Sequence, residues 1–202
     1  MNERSKGLLI AFEGLDQSGK QTQAETLRDH LTTLGNGCRL LSFPDYSTPI
    51  GAEIGRGLHG EREYGPDVMQ LLYVANRHEK KPEIERALDA GVTIVCDRYI
   101  ASSIAYGEAH GLDPVWLTEI QRFLPSPDLS ILLDIAPETA TRRKATGRDK
   151  YERDLALLSR VRASYRRQAA ASDAWLRLDG ERPRDAVWAD VLTAISTRLS
   201  PR

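Results

Sequence analysis

Cysteine is scarce in this chain. With Cys38 and Cys96 alone in 202 residues, neither a disulfide framework nor a cysteine-rich metal site is indicated. Both fall in strand-like runs, which suits structural thiols in a reducing cytoplasm. No apolar stretch approaches the roughly 18 residues of a membrane span, and no signal-peptide pattern opens the chain. Charge of one sign is missing as well. Lys plus Arg number 28 against 29 Asp plus Glu, a net −1, so bulk attraction to nucleic acid or an anionic membrane is excluded. Repeats and low-complexity tracts are absent, as is any Asn-Lys-x-Asp motif, which counts against a guanine-nucleotide switch.

What is present is an alternation. Strand-like runs at Leu8–Phe12, Cys38–Phe43, Val92–Cys96, Leu129–Asp134 and Trp175–Leu178 are largely apolar, as expected when helices cover both faces of a sheet. Helical spacing appears near 23–34, 67–80, 83–90, 113–123, 137–145, 155–171 and 185–199. Pro82 is expected to open the 83–90 segment, since an interior proline disrupts a helix. Gly35, Gly37 and Gly91 close helices just before strands. The pattern predicts an α/β fold: a doubly wound, parallel, five-stranded sheet flanked by helices, in one domain over residues 1–202. Positive charge is dense between Arg142 and Arg153. That polar, glycine-containing stretch between two helices reads as a short lid, about 142–153.

The most informative segment is LLIAFEGLDQSGKQT, residues 8–22. It is nearly the phosphate-loop pattern G-x-x-x-x-G-K-[ST], with Gly14, Gly19 and Lys20 in their required places. Glycines let successive backbone N–H groups curl around phosphate oxygens, and the following helix N-terminus adds its positive dipole end. Lys20 supplies a mobile point charge for the β- and γ-phosphates. Leu15, Asp16, Gln17 and Ser18 complete the loop as candidate ATP contacts, followed by Gln21 and Thr22. The usual hydroxyl after the lysine is missing: position 21 is Gln21, and the first hydroxyl is Thr22. A plain strand–turn–helix is the alternative, but an apolar strand before and helical spacing after favour nucleotide binding.

In a parallel sheet, ligands sit beyond the carboxyl ends of the strands. Strand two delivers Phe43-Pro44-Asp45-Tyr46-Ser47-Thr48, and strand three delivers Asp97-Arg98-Tyr99 and the stretch to Gly107. Strand four ends at Asp134, and strand five leads into Asp179-Gly180. Together, EGLDQSGKQTQ, FPDYSTPIG, LLYVANRHE, DRYIASSIAYG and SPDLSILLDIAPE resemble the thymidylate kinase family of P-loop nucleoside monophosphate kinases. The matches keep the family's order over roughly residues 8–180. The DRY-x-x-S element and the aromatic-x-x-x-Arg spacing of Tyr73 and Arg77 are its distinguishing marks.

The resemblance implies transfer of the γ-phosphoryl of ATP to dTMP, giving dTDP and ADP, with Mg²⁺, in a cytoplasmic homodimer pairing through helices such as 67–80. It also implies roles. Asp16 would meet the dTMP 3′-hydroxyl or help hold the Mg²⁺ shell, with Asp97 a second metal contact through water. Tyr73 would stack on thymine and Arg77 donate to a thymine carbonyl; their spacing puts both on one helix face. Arg98 would bridge the acceptor phosphate and the transferred group. Ser103 would lie at the ring edge, Tyr106 would close against the sugar, and Phe43 and Tyr46 would shape the acceptor site.

Blander readings exist for each. Tyr73 could be a core aromatic, Arg77 a solvated arginine, Asp97–Arg98 a local ion pair, Tyr106 packing and Ser103 a helix cap. Two departures from the family matter. Where one family layout carries a catalytic arginine after the loop aspartate, this chain has Gln17. Phosphoryl transfer needs positive charge on the loosening oxygens, so a lid arginine is expected instead, Arg143 or Arg148. Tyr46 replaces an acceptor-binding arginine of some relatives, which puts more weight on Arg98. Another acceptor nucleotide or nucleoside is the competing substrate class.

Overall fold

The computed structural model describes residues 6–143 and 154–199. Five parallel strands, β1 (Leu9–Glu13), β2 (Cys38–Ser42), β3 (Thr93–Asp97), β4 (Leu129–Asp134) and β5 (Trp175–Asp179), form one sheet in the order β2-β3-β1-β4-β5. The phosphate-loop strand β1 is central, so Phe12 pairs with Asp97 of β3 on one side and Ile131 of β4 on the other. Every residue of β1 and β4 is buried, the physical counterpart of their apolar runs.

Helices α1 (Lys20–Thr33) and α8 (Arg184–Leu199) cover one face, burying Leu27, Leu31, Val187 and Val191 against Ile10, Phe12 and Val95. The other face carries α3 (Pro66–Asp89), α4 (Ile100–Ala109) and α7 (Leu155–Ala170). Shorter α2 (Pro49–His59), α5 (Pro114–Glu119) and α6 (Pro137–Arg143) complete the described chain. None of these helices is long and apolar enough to cross a membrane.

Four details differ from the sequence expectation. Strands β1, β3 and β5 each run on to an acid, Glu13, Asp97 or Asp179, which an apolar pattern does not extend to include. Helix α3 passes through Pro82 without breaking. Its two halves bury Met69 and Val74, and Ile84 and Leu88, so packing outweighs the one hydrogen bond the proline nitrogen cannot donate. Helix α2 is additional: Thr48 caps it by accepting from Gly51 N, and Pro49 sits at its first position. Its glycines Gly51, Gly55 and Gly57 hide it from propensity, yet at Gly51 a Cβ would stand 1.8 Å from the Asp45 carbonyl oxygen. Helix α4 is likewise additional, built of small residues such as Ala101, Ala105 and Ala109 that let it pack closely under α7.

Of the expected lid, 142–153, only Arg142 and Arg143 are described, as the last turn of α6. Arg148 lies outside the described residues.

Candidate active site

The turn from β1 to α1 is a glycine-dependent loop. Gly14 has φ 137°, and a Cβ there would meet the Leu133 carbonyl oxygen at 2.5 Å. Gly19 (φ 96°) precedes the first turn of α1, and Gln17 is itself left-handed at φ 63°. Leu15 packs into the core beside Leu132 and Ile135. That anchors the loop, while Gln17 stays exposed above it. Ser18 Oγ is buried with no partner. Gln21 points away to Glu25 Oε1 at 2.9 Å, and Thr22 is exposed on α1.

Lys20 is folded into the loop and donates to the Leu15 carbonyl at 2.8 Å. Burial, and then the nearby positive charge of Arg98, push its pKa down to about 8. Arg143 spans the same loop from α6. It donates to the carbonyls of Gln17 at 3.1 Å and Gly180 at 3.2 Å. Of the two lid candidates, the described one therefore touches the residue whose charge was missing.

Beside the loop opens a cleft of about 250 Å³. Its near wall is Asp16 from the phosphate loop, with Arg98 and Tyr106 from the segment after β3. Arg98, at φ 63°, donates through Nη2 to Asp16 Oδ1 at 2.8 Å and to the Tyr106 hydroxyl at 3.3 Å. Its guanidinium carbon lies 5.2 Å from the Tyr106 ring centre. Burial is the largest single effect and works against the Arg98 charge, but Asp16, Tyr106 and Tyr165 together outweigh it and the pKa is raised. The acid that pairs with Arg98 is thus Asp16 and not its chain neighbour Asp97.

The far wall comes from α3 and α4. Tyr73 is half-buried on the cleft. Arg77, 3 % exposed, is no solvated helix residue. It donates to Ser103 Oγ at 2.7 Å and Gln121 Oε1 at 3.2 Å, and stands 6.0 Å over the Phe43 ring. Its Nε is buried with no partner. Burial lowers its pKa, though a guanidinium remains charged. Ser103 sits inside α4 and not at its cap. Tyr46, 54 % exposed, reaches the cleft from a turn that Asn76 holds by bonding both ends of Asp45.

All eight residues expected around the acceptor therefore line one cleft. Several others there gave little or no sequence signal. Gln70 lines the cleft with its Oε1 buried and unpartnered, and Gln121 is locked by bonds to the Ile100 and Leu117 carbonyls. Glu13, Ser102 and Tyr165 are buried behind Arg98. Ser102 is the serine of DRY-x-x-S, the one signal that pointed to it.

The sequence profile of the family described as thymidylate kinase matches residues 12–191. A Schizosaccharomyces pombe thymidylate kinase is 40 % identical over 153 residues, 76 % of this chain and 73 % of that one. A human thymidylate kinase is 32 % identical over 187 residues, 92 % of this chain and 88 % of that one. The solved thymidylate kinase structure from Candida albicans superposes with a TM-score of 0.85 at 31 % identity, covering 96 % and 92 % of the two chains. With agreement of this extent in sequence and in fold, the chain belongs to the thymidylate kinase family.

Proposed function

We propose that the protein transfers the γ-phosphoryl group of ATP to dTMP, giving ADP and dTDP, by direct in-line displacement. The observation that carries this reading is the continuity of the cleft. A single cavity runs from Asp16 in the phosphate loop to Tyr73 and Arg77 on α3, long enough in chemistry to take a phosphate at one end and a base at the other. Arg77 donates to a base carbonyl, and Tyr73 stacks on the ring. Asp16 and Tyr106 face the sugar, and Ser103, Phe43 and Tyr46 shape the walls. The acceptor oxygen is already anionic near neutral pH, so no strong general base is needed.

Charge does the rest. Lys20 and Arg143 flank the donor loop and Arg98 faces the acceptor phosphate, three cations around the transferred group. Asp97 Oδ1 is buried without a partner, and both Asp16 and Asp97 act on Lys20. Such oxygen donors suit a hydrated Mg²⁺ shared with phosphate oxygens. When bound, that ion neutralises charge on the β- and γ-phosphates.

We read residues 1–202 as one kinase domain of the cytoplasm, acting as a homodimer. The exposed Val68 and Leu71 on α3 supply an apolar face for the second copy. An ADP-release assay with dTMP, dUMP, dCMP and no acceptor tests the activity. Release that depends on dTMP is expected; release indifferent to dTMP overturns the assignment.

A further inference from the structure

Arg98 is held from behind as well as from the cleft. Its Nη1 donates to Ser102 Oγ and to the Tyr165 hydroxyl, each at 3.1 Å. A guanidinium can only donate, so both hydroxyls accept there and must send their own hydrogens elsewhere. Ser102 donates to Glu13 Oε2 at 2.6 Å, and Tyr165 reaches the same oxygen at 3.2 Å, with Ser102 Oγ at 2.8 Å. The Ser102–Tyr165 contact can run either way, but in both cases the chain of bonds from Arg98 ends on one carboxylate, Glu13. Glu13 and Tyr165 are 0 % exposed, so no water competes for these positions.

Glu13 grips a second point. Its Oε1 accepts from Tyr99 N at 2.9 Å, directly after the left-handed Arg98. Arg98 N meanwhile donates to Phe12 O at 2.9 Å. A left-handed non-glycine residue persists only where its surroundings over-determine it. Here Phe12 and Glu13 supply the grip at the backbone, and Glu13 again at the far end of the side chain. Because Gly14 follows Glu13, this acid joins the acceptor-side cation to the phosphate loop.

We propose that Glu13, Ser102 and Tyr165 are positioning residues for phosphoryl transfer, a buried relay that fixes the Arg98 guanidinium relative to the phosphate loop. The relay rests on the reading of Arg98 as a cation for the acceptor phosphate. A hydrogen bond to a charged group, once lost, changes rates by about ten- to a hundredfold, and proper alignment of reactants is sensitive to small displacements.

The test is a double-mutant cycle on the full chain. Tyr165→Phe keeps the buried ring and removes only the hydroxyl. It should lower kcat/KM for dTMP about tenfold, leave KM for ATP within about twofold, and lower the thermal midpoint by only about 3–10 °C, so that the enzyme stays folded under assay. In an Arg98→Ala background the same change should have no further effect. Ser102→Ala should behave like Tyr165→Phe. Equal losses from Tyr165→Phe in both backgrounds overturn the relay while leaving Arg98 in place. Should Arg98→Ala itself keep full kcat/KM for dTMP, the reading of Arg98 falls and takes the relay with it.

Discussion

With Lys20 as the proposed phosphate-binding cation, its lowered pKa should make ATP capture sensitive to alkali. An ordinary lysine, near 10.4, stays charged to about pH 9.5 with a loss of roughly a tenth. Lys20 sits instead at about 8, because its ammonium is buried beside Arg98. At about pH 9.5 only about 3 % of the free enzyme would carry the charge, so kcat/KM for ATP should fall about thirtyfold from its neutral plateau. The profile of kcat should stay level further up, since bound phosphates hold the proton on, and kcat reports the loaded enzyme. Phosphate ionises near pH 6, below this window. Burial pushes the Cys38 thiol up to about 11, and raises Cys96 and Tyr99 further, so these groups stay neutral throughout. Unfolding cannot mimic the effect through Lys20. Its folded pKa lies below its unfolded one, so the unfolded chain binds more protons across this range and the Lys20 contribution to stability rises with pH. Steady-state rates at varied ATP and saturating dTMP, from about pH 7 to about 9.5, measure it. A kcat/KM that stays flat to the upper limit refutes the reasoning.

Arg77→Ala should raise the dissociation constant of dTMP by about a hundredfold, the cost of a charged donor removed from a buried acceptor, with ATP binding nearly unchanged; calorimetry of each ligand separates the two. Arg143→Ala should lower kcat by about 10²–10³ with modest change in either KM, as for lost transition-state stabilisation, whereas small effects that fade with salt would mark a solvated residue. Asp134, whose side chain is 5 % exposed, accepts from Arg162, Arg166 and Arg177. Asp134→Ala leaves those cations without their acid, and because they are partly exposed the loss should be about 2–4 kcal/mol by urea unfolding. Burial raises the Asp134 pKa, but Arg162 and its companions outweigh it and the value is lowered. Its stabilisation is therefore complete above the ordinary carboxylate range and lost as pH falls through the depressed folded value.

Much of the fold was legible because a sheet covered on both faces must be built from apolar runs, and five such runs stand in the chain. Their ends were less clear for a physical reason. Glu13 and Asp97 are polar residues in strand conformation, needed at the carboxyl edge where ligands bind, and hydropathy cannot tell such a residue from a loop. Pro82 misled in the opposite direction. Local rules break a helix at proline, and only the burial of Ile84, Ala87 and Leu88 against the sheet shows why α3 continues. Helix α2 stayed hidden because its glycines answer to a tertiary contact, the Asp45 carbonyl against Gly51, and not to helix propensity.

The site divides along the same line. Residues proposed to meet the ligand, such as Asp16, Lys20, Tyr73 and Arg98, sit in motifs with a recognisable spacing, so a single sequence exposes them. Residues that hold those groups in place have no such spacing. Arg77 itself is found through its spacing from Tyr73, yet within the polar run Asn76-Arg77-His78-Glu79-Lys80-Lys81 nothing local says that it turns inward while Lys80 pairs with Asp45 at 2.9 Å. Gln121 is 44 residues further on and supports Arg77 across α4 and α5. Glu13 and Tyr165 are 152 positions apart, yet meet over a single hydrogen bond. The departure at Gln17 has the same logic. Arg143, 126 positions away, donates to the Gln17 carbonyl, so a cation stands beside the loop where the loop's own sequence has none. The charge beside the loop is thus a property of the folded chain and not of the loop sequence, and it is the last turn of α6 that brings it there.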